Sequence, residues 1–356
     1  MTERAEAWRV LAQSNADLAD AWHAQSVSLC IYLLGMREYY RCEHGLPLVQ
    51  PLPRDAIGAW IAARETAWDE LRDAPGGDEG PQFRPLLPER SRDPFDTDAI
   101  RDPLAAEGLA YAAGIGRFGR PQFVLARLIG REVREGCEIL VCGEELARGA
   151  EASPAMSRGR EVLVRMDALE RWLWMRHEEW RLHPRDNGLA AAYAIHEAAL
   201  PADAREAPAV IRRMAAHERE ALILHELGER RVDADLGDAW HDLIEDAPSR
   251  KAELLARAVR DLLADCTVTL PQLLERGDDA SIHAWFGLLD GMRQKLAPGL
   301  LEGYRQWRTG ASAELAACLD AARAHWAQSA QTVLDTWHDE GPGGLDRLVD
   351  RELLVF

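Results

Sequence analysis

Apolar residues recur at three- and four-residue intervals along most of this chain, the spacing that gathers them on one face of an α-helix. That spacing predicts helices over about 3–22, 24–43, 54–72, 121–134, 166–182, 187–199, 206–231, 236–246, 250–269, 280–296, 299–309 and 312–339. Two short segments break the pattern. CEILVCG (137–143) and REVLVR (160–165) are strand-like runs that would pair as a small hairpin within 137–165. The closing ELLVF is a further strand candidate. Residues 73–118 contain DAPGGDEGPQFRPLLPERSRDPFDTD, dense in Pro, Gly and Asp, and predict a long irregular excursion. So long a loop in a compact domain covers a site or carries short helices of its own. The expected fold is all-α: one mainly helical, bundle-like domain over 1–356, with a small β-hairpin and one long irregular loop.

Some helical stripes are interrupted by charge. With residues 206–232 laid out at 100° per residue, Ile211, Met214, Leu222 and Val232 share a stripe with Glu218, His225 and Glu229. Arg212, Arg213, Glu220, Arg230 and Arg231 fall on the other side. Gly228, which costs about 1 kcal/mol relative to alanine in a helix, marks a close approach or a bend. Glu38 lies with Val27, Ile31, Leu34 and Cys42, and Glu65 with Ile57, Ile61 and Trp68. Asp265 lies among Leu254, Ala258 and Leu262, and His177 among Met166, Leu169, Leu173 and Trp180. Six of the eleven histidines precede an acid, but helix neighbours i and i+1 do not face each other, so the dipeptide alone makes no site.

An ionised carboxylate inside a protein costs several kcal/mol unless something compensates it. The arginines on apolar stripes, Arg64 and Arg293, are too few to neutralise Glu38, Glu65, Glu218, Glu229 and Asp265. Bound cations, protonation or water must absorb the remainder. Helical bundles build di-iron and di-manganese centres from such inward carboxylates and imidazoles. The expected ligands are Glu38, Glu65, His177, Glu218, His225, Glu229 and Asp265, with iron or manganese as cofactor, acting in oxygen or redox chemistry. The set matches ferritin-like and haem-oxygenase-like di-iron proteins in residue type only, since the usual Glu-x-x-His spacing is absent. The alternative is a non-enzymatic helical scaffold or partner-binding protein without cofactor, in which the same residues form an internal polar network.

Other motifs are weaker. His225, Glu226 and Glu229 spell HExxE, but a zinc protease needs a second histidine where Glu229 stands. Gly114, Gly116 and Gly119 match GxGxxG, and with a helix from Pro121 and Glu144 further on they imitate half a dinucleotide fold. Arg117 and Arg120 would make a local anion site at that helix start. The formal net charge of -18 repels phosphate backbones, so no nucleic-acid partner is expected. The longest apolar run, VSLCIYLLGM, is too short to span a bilayer. Six cysteines without a CxxC, behind a polar N-terminus, fit a reducing cytoplasm. A protein partner or a second copy of the chain remains open, and the substrate is unknown.

The phrases MREYYR, LHELGE, RDLLADC and GMR, spread from about residue 36 to 293, resemble an uncharacterised family of bacterial helical proteins. That resemblance implies no assigned activity and no residue roles.

Overall fold

The computed structural model describes residues 2–24, 29–73, 80–182, 187–196, 206–310, 312–349 and 354–356. The chain, expected as one domain, divides into two compact units: Met1–Met175 with Asp203–Ala215, and Arg176–Ala202 with Ala216–Phe356.

The first unit opens with α1 (Glu3–His23), α2 (Leu29–Glu43) and α3 (Arg54–Arg72). A 3-10 turn (Asp98–Ile100) leads into α4 (Arg101–Ala106). Five strands follow: β1 (Leu109–Ile115), β2 (Pro121–Arg134), β3 (Cys137–Ala147), β4 (Ala155–Arg158) and β5 (Glu161–Arg165). They form one sheet in the order β1-β2-β3-β5-β4, antiparallel except for β3 and β5. Helix α5 (Met166–Leu182) begins directly after β5.

Helix α1 starts where the Thr2 hydroxyl accepts a hydrogen bond from Ala5 N, with Glu3 and Glu6 in the first turn to suit the helix dipole. Its buried stripe Ala5, Trp8, Ala12, Ala16 and Ala19 packs on Leu109, Tyr111, Phe123 and Leu125. Fully buried Phe123 and Leu125 contribute about 2–3 kcal/mol each. The other face of the sheet buries Ala110, Ala112, Val124, Ala126, Leu140, Cys142 and Leu163. The excursion is tied to this core. Buried Asn15 donates to Arg84 O (2.7 Å) and accepts from Arg84 N (2.8 Å), as a strand neighbour would. Phe83 and Phe95 pack against Phe123.

The all-α expectation is therefore overturned: the fold is α+β, with a five-stranded mixed sheet where a small hairpin was expected. Residues 121–134, expected as a helix, are β2. Phe123–Ala126 are buried on both sides of the sheet, so the in–out alternation of a strand is missing from the sequence. Farther along, Ile129 and Val133 are apolar but exposed, which completes a false helical stripe. The expected hairpin of 137–143 with 160–165 is also corrected, because β3 and β5 pair in parallel. The antiparallel partners are β2 with β3, joined at Glu135–Gly136 where both φ angles are positive, and β4 with β5, joined near Gly159. Of the 73–118 excursion, 74–79 lie outside the described residues, and its last part is the 3-10 turn, α4 and β1.

The GxGxxG segment is the β1–β2 connection, with Phe118 and Gly119 at positive φ. No helix follows Pro121, so neither a dinucleotide crossover nor a helix-start anion site exists there. Arg120 instead pairs with Glu151 at 2.5 Å.

The second unit is helical throughout its described residues. It holds the end of α5, α6 (Gly188–Ile195) and most of α7 (Ala207–Leu236). Then come α8 (Asp238–Glu245), α9 (Arg250–Ala264), a π turn (Asp265–Thr269) and α10 (Leu270–Glu275). The chain continues through α11 (Asp279–Leu288), α12 (Gly291–Leu296), α13 (Pro298–Arg308), α14 (Ser312–Glu340) and α15 (Pro342–Leu348). Trp240, Val259, Leu262, Leu273 and Trp326 lie at the centre of its core. The helix expected over 280–296 is two, because the chain turns at Leu289–Gly291 with Gly291 at φ 57°. Parts of the expected helices 24–43 and 187–199 fall on 25–28 and 197–199, outside the described residues, as do 352–353 of the expected last strand; 354–356 form no strand. Helices α6 and α11 touch backbone to backbone: a Cβ on Gly188 would stand 2.4 Å from His283 O, and one on Gly287 would stand 2.2 Å from Leu189 N. Only glycine fits at both crossings.

Candidate metal centre

The seven expected ligands are divided between the two units. Glu38 and Glu65 belong to the first unit, while His177, Glu218, His225, Glu229 and Asp265 belong to the second. Buried Glu38 lies between Arg37 Nε at 3.4 Å and Arg41 Nε at 3.3 Å. Arg41, itself buried, also donates to the carbonyls of Pro47 and Gln50. Glu65 accepts from the Tyr32 hydroxyl at 2.8 Å. His177 is buried edge-on to Tyr193. Burial, with Arg181 adding to it, pushes its pKa down to about 4, so the ring is neutral.

Three of the seven meet around His225. Its Nδ1 stands 2.8 Å from Asp265 Oδ1 and its Nε2 3.1 Å from Glu229 Oε1. Each ring nitrogen thus faces a different carboxylate, and neither lone pair is offered to a metal. Burial opposes protonation of this imidazole, but the two carboxylates outweigh it and hold its pKa well above the ordinary value. Asp265 also faces Arg293 at 3.5 Å. Arg260 reaches Glu229 at 2.8 Å, Asp261 at 3.1 Å and Asp233 at 3.6 Å. Burial alone would raise the Asp265 and Glu229 pKa values, yet these cations hold both below the ordinary range. The arrangement is a buried ion-pair network. In this arrangement both His225 nitrogens of the HExxE segment face carboxylates.

Local backbone geometry builds this network. Gly228 lets α7 approach α9 so closely that a Cβ there would lie 3.0 Å from Ala264 O. The π turn at Asp265–Thr269 follows at once and sets the Asp265 side chain, which is fully buried, toward α7. Wide turns of this kind occur mostly as isolated bulges in helices.

Among the described residues, two groups of three place His, Cys, Asp or Glu ligand atoms within 4.8 Å of one another. The first is Cys42, Glu145 and Asp167. Glu145 is already held by Arg165 at 2.7 Å and Arg148 at 3.2 Å, and Asp167 by Arg171 at 3.2 Å. Burial keeps the Cys42 thiol pKa above its usual value. This is a second ion-pair network.

The other group, His196, His217 and Glu218, is different in kind. His196 caps the C-terminus of α6, and its backbone N–H donates to Ala192 O. His217 and Glu218 are consecutive on α7. The His196 and His217 rings meet edge to face at 5.1 Å. Glu218 is 7% exposed, and its Oε1 is buried without a hydrogen-bond partner. Among the described residues, no arginine is paired with it. Burial pushes its pKa up to about 7, with His217 and a hydrogen bond from Ser281 pulling the other way. Ligands at 2.0–2.2 Å from a common ion stand about 3 Å apart, so the three side chains would have to close in from the 4.8 Å grouping to share one.

Of the seven residues expected as ligands, only Glu218 is in this group. His196 and His217 went unseen because an HE dipeptide does not converge on a straight helix face. Their signal was real but insufficient: both histidines precede an acid, and Glu218 was already marked as an apolar-face carboxylate.

Comparison with known proteins adds family membership and no activity. No curated protein and no solved structure matches the chain. The model of the N-terminal domain of a family of unknown function, DUF6866, matches residues 9–165, and the model of its C-terminal domain matches residues 170–352. This chain, an acidic α+β protein whose described helices include none long and apolar enough to cross a membrane, belongs to the DUF6866 family.

Proposed function

We propose that this protein binds one divalent transition-metal ion through His196, His217 and Glu218. The dinuclear array expected from the sequence gives way to a mononuclear site. What carries the reading is Glu218: a buried carboxylate beside two imidazoles, held by Ser281 but with Oε1 lacking a hydrogen-bond partner and no arginine paired with it among the described residues. A buried carboxylate only partly compensated by its neighbours is costly, and a bound cation would offset that cost. Two histidines and one carboxylate suit iron(II) or manganese(II) and leave coordination positions open for an exogenous ligand, the set used in non-haem iron oxygen chemistry. His217 is partly exposed, which gives such a ligand an approach from solvent. All six cysteines are free thiols, which fits the reducing cytoplasm as the compartment.

The test is a cobalt(II) titration of the full chain followed by its visible spectrum, with E218Q and H217A as comparisons. Saturation at one ion per chain, lost in both variants, supports the site. Absence of any cobalt band in the wild type, or an unchanged titration in E218Q, contradicts it.

The scaffold alternative keeps a narrower place. The networks around His225 and Glu145 are closed by arginines, and we read them as internal braces that fix helix packing.

A further inference from the structure

We propose that Asp278 is a positioning residue of this metal site, fixing the tautomer of His217 so that Nδ1 is the nitrogen presented to the ion. The inference rests on the metal reading above. His217 Nε2 lies 2.8 Å from Asp278 Oδ1. An ionised carboxylate only accepts hydrogen bonds, so Nε2 carries the proton and the lone pair is left on Nδ1. A carboxylate behind a histidine ligand fixes the ring and raises its basicity.

Asp278 is itself held in place before any metal arrives. Gly277, at φ 65°, turns the chain out of α10, and Asp278 N donates to Leu273 O at 2.9 Å. The same Oδ1 that faces His217 accepts from Ser281 N at 3.2 Å and so caps α11. One oxygen therefore starts a helix and orients a ligand. The positive end of α11 stabilises the Asp278 charge, and the backbone contact fixes its direction. His217 is exposed on one side, and this contact, together with the His196 ring packed edge to face, restrains its ring.

Two readouts test the assignment. Long-range nitrogen NMR of the metal-free protein at alkaline pH reports which ring nitrogen carries the proton. Manganese(II) calorimetry reports affinity. The wild type is expected to show the Nε2–H tautomer alone. D278A is expected to show both tautomers and a roughly 10–100-fold loss of affinity. D278N retains a good helix cap and an acceptor oxygen, so it should fold like the wild type, keep Nε2–H and lose affinity only several-fold. An Nδ1–H tautomer in the wild type overturns the inference, as does a D278A protein with unchanged tautomer and affinity. A wild type showing the Nε2–H tautomer but binding no manganese or cobalt removes the metal reading itself, and the inference with it.

Discussion

Replacing His225 with glutamine takes one cation out of the network that joins α7, α9 and the π turn. Glu229 keeps Arg260 at 2.8 Å, but Asp265, fully buried, keeps Arg293 at 3.5 Å and the Thr269 hydroxyl. Removing one partner of a buried pair costs about 3–5 kcal/mol. Glutamine can still donate to one carboxylate, and His225 is one-fifth exposed, so a loss of about 2–3 kcal/mol is expected. For a unit of this size that lowers the melting temperature by about 5–10 °C. The loss should depend on pH. The raised His225 pKa stabilises the fold fully below its ordinary value of 6.5, and that contribution disappears as pH rises through the folded value. The lowered Asp265 and Glu229 values contribute above their ordinary 3.8 and 4.5, and that part is lost as pH falls through their folded values. The wild type should therefore exceed H225Q most between about pH 4.5 and 6.5. Thermal unfolding followed by circular dichroism across this range measures the gap. A melting temperature for H225Q within a degree or two of the wild type, or a gap that ignores pH, would refute the network.

Two further substitutions probe packing and burial. Asp20 is buried against Ala150 N, and desolvation pushes its pKa up to about 7, with that N–H and Arg120 pulling against it. Its folded pKa lies above the ordinary 3.8, so wild-type stability falls as pH rises from about 4 to 7. D20N should match the wild type near pH 4.5 and exceed it at pH 8 by up to about 4 kcal/mol in urea unfolding; a less stable D20N at pH 8 would contradict this. Gly228→Ala gains about 1 kcal/mol of helix propensity but drives a methyl to within 3.0 Å of Ala264 O and 3.3 Å of Val268 Cβ. A net loss of about 1–2 kcal/mol is expected, and a stabilised variant would show that α7 and α9 are not in close contact.

Helices were legible where one face alone is buried. Residues 54–72 and 312–339 carry one-sided stripes, and α3 and α14 lie where those stripes predict. Strand β2 was illegible because burial on both faces erases its alternation. The buried acids were legible as a class: Glu38, Glu218 and Asp265 are each less than a tenth exposed. Their partners were not. Arg260 of α9 reaches Glu229 of the neighbouring α7, which no wheel of a single helix reveals. Arg41, three residues after Glu38, is a partner that helix spacing alone makes legible. The α6–α7–α11 meeting that brings His196, His217 and Asp278 together depends on the glycine crossing of α6 with α11, a tertiary contact with no periodic signature.

Crystals grown with manganese(II), measured for anomalous scattering at the manganese edge, test the central claim most directly. The account predicts one peak, bonded to Nδ1 of His217, a ring nitrogen of His196 and an Oε atom of Glu218. A peak between His225, Glu229 and Asp265, or none on the protein, would contradict it.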